Sequence, residues 1–338
     1  MNFNSGTTTL RAHKQTAAFL DQAPYHGSEA AQSFTFTSSV RVGVIALRSH
    51  VNERSDPLLT TLPVAPLSPG TPPSTGNIIL PHYAAGGGWT TQVLLVNPTD
   101  QRLSGTVNMD ATYPYAIAPR SSVKITSANS DLLRTGSVVI TPAQGSRSPI
   151  VSSVFRLVSN GITVTETGIA TTGDAPSFRV FAESNSGQHL QTGIAIANTA
   201  ASVANIQFEL LKLDGKPSGY TGSTTLGPDA HMAMFLNEIP GLKSLPSSFR
   251  GVLHISSNTS ISAIGLRTRY NERGDFLIST TPAIADNAPS STDESVFPQV
   301  VSGSGYTTEF ILMNPAGASQ GTLSLSSQTG TELPLFVP

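Results

Sequence analysis

Cysteine is absent from all 338 residues, so neither a disulfide nor a thiolate metal site can form. Charge is scarce as well. Asp, Glu, Lys and Arg make up 12% of the chain and nearly cancel, leaving a formal net charge of −2. Nucleic acids and anionic membranes call for clustered Lys and Arg, so no nucleic-acid partner is expected. No apolar run approaches the ~20 residues of a membrane-spanning helix, and no membrane insertion is expected either. Residues 1–10, MNFNSGTTTL, lack the apolar stretch of a secretory signal. The seven histidines (His13, His26, His50, His82, His189, His231 and His254) show no H-x-x-x-H or H-x-H spacing, and there is no G-x-S-x-G elbow. No metal site, no cofactor and no serine nucleophile is expected, and the chain reads as non-enzymatic.

What the chain has is turn residues, 29 Gly and 24 Pro, among 38% hydrophobic residues, a composition suited to an all-β protein. It also has a stretch that recurs. Residues 80–98 read LPHYAAGGGWTTQVLLVNP, 181–198 read FAESNSGQHLQTGIAIAN and 297–315 read FPQVVSGSGYTTEFILMNP. The copies align without a gap, with Asn97, Asn198 and Asn314 spaced 101 and 116 residues apart. That period means tandem domains, since solenoid units run roughly 20–50 residues.

Strand side chains alternate between faces. One face carries Thr91, Val93, Leu95 and Asn97, matched by Thr192, Ile194, Ile196 and Asn198 and by Thr308, Phe310, Leu312 and Asn314. It is expected to face a core. The other face, Gly193, Ala195 and Ala197 in the second copy, is expected to be outer or partly covered. The asparagine ends the strand in an Asx turn, and the preceding glycines permit positive φ in the turn that enters it. A phosphate loop needs a helix after its glycines. Here Thr-Thr and a strand follow, which excludes the nucleotide reading.

A second block also recurs. Residues 46–64, ALRSHVNERSDPLLTTLPV, match 265–283, GLRTRYNERGDFLISTTPA. Asn-Glu-Arg-Ser/Gly-Asp reads as the polar tip of a hairpin of the 3–5-residue loop class. In the intervening repeat the tip shrinks to Ser159-Asn160-Gly161, where Asn-Gly signals a type I′ turn. Arg48, Arg156 and Arg267 take one matching position and read as structural arginines held by backbone carbonyls or a carboxylate near the hairpin base.

The blocks divide the chain. Residues 1–66 are the later half of a β-sandwich module and 67–76 a proline-rich linker. Residues 77–177 and 178–287 are complete modules, 288–295 is a second linker, and 296–338 are the first half of a module. About seven short strands per complete module, separated by turn residues, match the size and pattern of an immunoglobulin-like β-sandwich. One short helical turn is expected within 235–242. In 296–338, two strands are expected beyond the recurring stretch, at 321–327 and 333–337. Three explanations stand for the two half-modules: a slice of a longer array, closure of a third sandwich within one molecule, or strand complementation between molecules.

The pattern [FL]-P-x-x-x-x-G-x-G-[YW]-T-T-x-x-[IL]-L-x-N-P, followed by Gly-Thr-Val (105–107) or Gly-Thr-Leu (321–323), resembles tandem β-sandwich repeats of secreted bacterial surface proteins of the acidobacterial type. The second copy departs from it at Ala182 and Gln191. The resemblance implies an architecture and no activity. The expectation is an extracellular or cell-surface structural or adhesive protein. Its partners would be further copies of itself, head to tail in a filament, or neighbouring modules. The alternative is a surface module that binds glycans. Trp89, Tyr83 and Tyr306 would serve that role if exposed and coplanar. Arg273-Gly274-Asp275 is an RGD tripeptide on a hairpin tip and a candidate receptor contact, although glycine there also suits the turn. Glu53, Arg54 and Asp56, with Glu272, Arg273 and Asp275, offer too few ligands for calcium and read better as local ion pairs.

Overall fold

In a computed structural model of the chain, residues 6–23, 25, 33–67, 74–288, 294–314 and 320–334 are described. Residues 1–5, most of both expected linkers (68–73 and 289–293), Pro315 and the end of the expected last strand lie outside them. The protein is all-β with several sheets, and its described residues contain no α-helix. No helix among them is long and apolar enough to cross a membrane. The chain divides into two units, Ile45–Asp293 and the pair Met1–Val44 with Glu294–Pro338.

The larger unit opens with a hairpin, β1 (Ala46–Val51) and β2 (Pro57–Leu62). Eight strands follow: β3 (Ile78–Ala85), β4 (Trp89–Val96), β5 (Leu103–Asn108), β6 (Thr112–Ile117), β7 (Ser122–Thr126), β8 (Arg134–Pro142), β9 (Ile150–Ser159) and β10 (Ile162–Ala170). They form two four-stranded sheets, ordered β3-β8-β5-β6 and β10-β9-β4-β7. Between β6 and β7, Arg120 takes a positive φ of 54° and reverses the chain. Leu80, Val107, Ile117 and Ile140 of one sheet meet Val93, Leu95, Phe155 and Ile169 of the other in a single core. Each large side chain buried there contributes about 1.5–3 kcal/mol.

The same order returns in β11 (Ala175–Asn185), β12 (Leu190–Asn198), β13 (Ala204–Lys212), β14 (Pro217–Leu226), β15 (His231–Phe235), β16 (Ser248–Tyr270), β17 (Phe276–Thr281) and the short β18 (Ile284–Ala285). Here the counterparts of β8 and β9 are fused into one 23-residue strand, β16. Its first half pairs with β11 and β13 and its second with β12 and β17. Between Ser256 and Ile261 the register against β11 shifts, so β16 carries the ladder from one set of partners to the other and joins all eight strands. Leu253 and Ile255 of its first half and Ile261 and Ala263 of its second line one core with Phe178, Ile194, Ile196 and Phe208. The 3-10 turn Leu236–Glu238 falls where a helical turn is expected.

The recurring residues have one local task in each copy. The Thr91 hydroxyl donates to Ala84 O (2.7 Å) and accepts from Ala84 N (3.0 Å), clipping β4 to the strand before it. Thr192 does this with Glu183, and Thr308 with Val301. The asparagine makes the expected Asx turn and more. Asn97 Oδ1 accepts from Thr99 N, while its Nδ2 donates to the carbonyls of Gln101, Ile117 and Ala118. Asn198 repeats the pattern with Ala200 N and the carbonyls of Ser202, Leu226 and Gly227.

Two register expectations need correction. The threonine clip spans seven residues in the first and third copies but nine in the second. The first copy turns through Gly87 and Gly88 (φ 59° and 88°) and the third through Ser304 and Gly305 (φ 51° and 87°), both in type I′ geometry. The second copy turns through the 3-10 segment Ser186–Gln188 and His189, two residues longer, so the copies do not align gap-free on the near side of the turn. Likewise Arg267 stands opposite Thr192, whereas Arg156 stands opposite Thr90 and Phe155 opposite Thr91. A slip of one residue reverses the face. Arg156 is therefore not the positional match of Arg267, although both end on carboxylates.

In the smaller unit, Gln15 N donates to Gln328 O (3.4 Å) and Gln15 Nε2 to Gln299 Oε1 (2.5 Å), joining its two segments. The strand expected over 321–327 is reduced to β19 (Leu325–Ser326), which pairs with β20 (Glu332–Leu333); residues 335–337 of the strand expected over 333–337 lie outside the described residues. None of the described residues of this unit is buried.

Candidate functional site: the interface between repeats

Three hairpins meet in the larger unit: β1–β2, β9–β10 and β16–β17. Strand β10 lies at the end of its sheet, yet seven of its nine residues are buried, because β2 and β17 both pack against it. Side chains from both neighbours supply the hydrogen bonds that an edge strand lacks. Asn52 Nδ2 donates to Thr163 O (2.9 Å), and Thr163 N donates to a Glu53 carboxylate oxygen (2.6 Å). Gly168 N donates to Thr60 Oγ1 (2.8 Å), and Thr280 Oγ1 donates to Gly168 O (2.9 Å). Only glycine fits at 168, since a Cβ there would lie 1.9 Å from Thr61 O.

The tips are built alike. Asn52 Oδ1 accepts from Arg54 N and Asp56 N, and Asn271 Oδ1 accepts from Arg273 N and Asp275 N. Ser55 (φ 66°) and Gly274 (φ 79°) hold the same left-handed position, which accounts for the glycine of the RGD tripeptide. The tips then exchange partners. Arg54 Nη2 reaches Asp275 Oδ2 at 2.7 Å, and Arg273 Nη2 reaches Asp56 Oδ2 at 3.0 Å. The shortened tip at 159–161 belongs to the hairpin between them.

Electrostatics follow from these contacts. The Arg54 guanidinium holds the Asp275 carboxyl below its usual range, with help from the Asn271 amide and Arg273. Partial burial opposes ionisation of Asp56, but the Asn52 amide, Arg273 and Arg54 outweigh it and lower its pKa. The Thr163 N–H is the main cause that lowers the Glu53 pKa to about 2. Arg48 pairs with Glu166 at 3.1 Å, Arg156 with Glu53 at 3.6 Å, and Arg267 with Glu183. The reading of all three as carboxylate-held arginines fits these pairs.

The second part of the interface is β3 on the outer face of β12, β15 and β16. Ala195, Ile264 and Leu266 point away from their own core and join that of β3–β10, which explains why the second copy carries Gly193, Ala195 and Ala197 on this face. Pro81 has no N–H for the ladder, and the register of β3 against β8 slips there. His82, the next residue, is buried at 6% exposure and stacks on His231, with Nδ1 and Nε2 3.0 Å apart. Burial, with His231 beside it, pushes the His82 pKa down to about 3, and burial pushes His231 to about 4. Each ring is neutral at pH 7.

The candidate ligand residues differ in their surroundings. Tyr83 is 7% exposed and packs on Gly136, where a Cβ would lie 2.6 Å from its ring, so Tyr83 does not meet the condition of exposure set for a glycan platform. Trp89 is half-buried with its ring edge-on to Phe276 at 6.0 Å. Tyr306 is 63% exposed and belongs to the other unit. Arg273 and Asp275 are committed to the reciprocal pairs, and the Asp275 side chain is 14% exposed.

Two clusters went unseen in the sequence. The histidine pair joins residues 149 apart at unmatched positions of different repeats, and no local spacing signals it. On the outer face of β11 and β16, Asp286 accepts from Arg179 Nε (2.8 Å) and Ser177 Oγ (3.0 Å), and its Oδ2 lies 2.9 Å from His254 Nε2. The serine donates to the carboxylate, so this arrangement anchors Asp286 and does not activate a nucleophile. Among the described residues no group of His, Asp and Glu is arranged to hold a metal ion. Compared with known proteins, the chain matches no family model, no curated protein and no solved structure.

Proposed function

We propose that the chain is a structural, adhesive repeat protein of the cell surface or extracellular space. It consists of tandem immunoglobulin-like sandwiches locked into a stiff element and extends end to end by complementation between molecules. The observation that carries this reading is the enclosure of β10. Three repeats contribute one hairpin each, and side chains of two of them bond the backbone of the third. Contacts of that kind resist hinge motion between repeats, and reach and stiffness are what a spacer needs. End-to-end extension draws support from the smaller unit, where Phe310 (37%) and Leu312 (65%) are exposed although their counterparts Val93, Leu95, Ile194 and Ile196 are 0% exposed. Exposed apolar side chains of this kind favour association. The surface placement rests on the charge-poor composition and the resemblance of the repeats. A glycan-binding role draws no support from Tyr83, which is buried.

The test is molar mass in solution as a function of concentration, by light scattering, with fibres sought by electron microscopy. Regular polymers that disappear on deletion of residues 296–338 support the reading. A compact monomer at every concentration overturns end-to-end assembly.

A further inference from the structure

The β1–β2 hairpin carries the residues of β16–β17 but not their cover. Ile45, Leu47 and Leu59 match Ile264, Leu266 and Ile278, each 219 residues on. Ile264 and Leu266 are 3% and 7% exposed, and Ile278 packs against the same cluster. Their cover is the β3–β4 hairpin. Strand β3 packs on β12 and β16, and Trp89, at the turn into β4, meets Phe276. Ile45, Leu47 and Leu59, by contrast, are 40%, 41% and 62% exposed, and β1 pairs with β2 alone among the described strands.

The chain contains a second hairpin of the covering kind. Residues 297–308 repeat the local geometry of β3–β4. Gly303 N donates to Tyr306 O (3.0 Å) and Tyr306 N to Gly303 O (2.9 Å), as Gly86 N does to Trp89 O (2.9 Å) and Trp89 N to Gly86 O (3.0 Å). The clip from Thr308 to Val301 repeats that from Thr91 to Ala84. Its apolar residues are open to solvent: Phe297 is 55%, Val301 40% and Tyr306 63% exposed.

We infer that residues 297–308 of one molecule dock on the β1–β2 hairpin of a second copy of this chain, as β3–β4 docks on β16–β17 within it. The inference rests on the end-to-end reading above and names its contact. Ile45, Leu47 and Leu59 are the acceptor face. Phe297, Val301 and Tyr306 belong to the donor, and Tyr306 comes beside Pro57, as Trp89 lies beside Phe276. The occupant is a second copy because, among the described residues, the precedent for covering this set of side chains is the chain's own recurring hairpin. Apolar burial between matched surfaces then drives association.

The absence of cysteine makes the test direct. Pro57→Cys and Tyr306→Cys are introduced into separate full-length chains, mixed where light scattering reports assembly, and treated with a short bis-maleimide. The expected result is a 57–306 link between molecules, identified by mass spectrometry. A Leu47→Asp, Leu59→Asp variant, whose changes lie on an exposed face and whose melting should be unaltered, should lose that link and assemble at least tenfold more weakly. Polymers that form without the link and are indifferent to Leu47→Asp, Leu59→Asp overturn this docking mode and leave end-to-end assembly standing. Absence of any assembly overturns both. A chain carrying both cysteines that links within itself at high dilution shows the docking closing inside one molecule, which also overturns the inference.

Discussion

His82 Nδ1 stands 3.0 Å from His231 Nε2, and the two rings stack at 5.1 Å across the contact between β3 and β15. The accepting ring must be neutral, and burial keeps the donating ring neutral as well. In the folded chain their pKa values fall to about 3 and about 4, from 6.5. Above about pH 6.5 neither state of the chain binds these protons, and the contact is fully stable. As pH falls, the unfolded chain binds protons first, so stability declines with pH until the folded histidines titrate. For His82 alone the loss is about 1.4 kcal/mol per pH unit between roughly pH 6 and 4. Urea midpoints at pH 7, 5.5 and 4.5 should show the decline, and His82→Phe should flatten it. The lowered pKa values of Asp56 and Asp275 act in a separate window, since their contribution is lost only below about pH 3.8.

The reciprocal pairs predict a charge-swap result. Arg54→Asp places two carboxylates together at the tips, and so does Asp275→Arg with guanidinium groups. Either change alone should lower the melting temperature, and the two together should restore most of it. The effect should shrink as salt rises, because these groups are near solvent. Full loss in the double variant would mean that backbone geometry, and not charge, couples the tips.

Asn198 is 2% exposed and its Nδ2 satisfies three carbonyls. Asn198→Ala leaves those acceptors without their donor and should cost about 2–3 kcal/mol in chemical denaturation. Asn198→Asp should cost more, because a carboxylate turns lone pairs toward the same carbonyls.

Gly168→Ala tests the grip on β10. The added methyl meets Thr61 O at 1.9 Å, and the side expected to yield is the two-stranded hairpin rather than the sandwich. Hydrogen exchange should rise over residues 46–62 and stay unchanged in β4 and β5. Equal protection throughout would show that the hairpin shifts without detaching.

Much of this architecture is legible in the sequence, because strands obey a period of two. The alternation through Val93 and Leu95 or Ile194 and Ile196 identifies core positions that are fully buried. Turn chemistry is local too, so the Asn-Gly turn at 160–161 (φ 50° and 77°) and the positive φ at Gly274 follow from residue type. What alignment alone mistakes is register. Two extra residues in the turn before Leu190 change no pattern that alternation can detect, and a one-residue offset carries Arg156 to the face opposite Arg267. Contacts between repeats are less legible still. Nothing near His82 announces His231, and Gly168 reads as an ordinary strand glycine until Thr61 is beside it.

Strand β16 has a mechanical consequence. In the strands of 78–170, residues 143–149 interrupt the equivalent path between β8 and β9, so tension there meets two separate strands in succession. A pull along β16 instead loads its ladders with β11, β12, β13 and β17 in shear together, since no loop divides them. Stretched from its ends, the second of these β assemblies should rupture in one step at high force, while the first yields through an intermediate. The continuous strand should thus let the second set of strands hold at a force at which the first gives way.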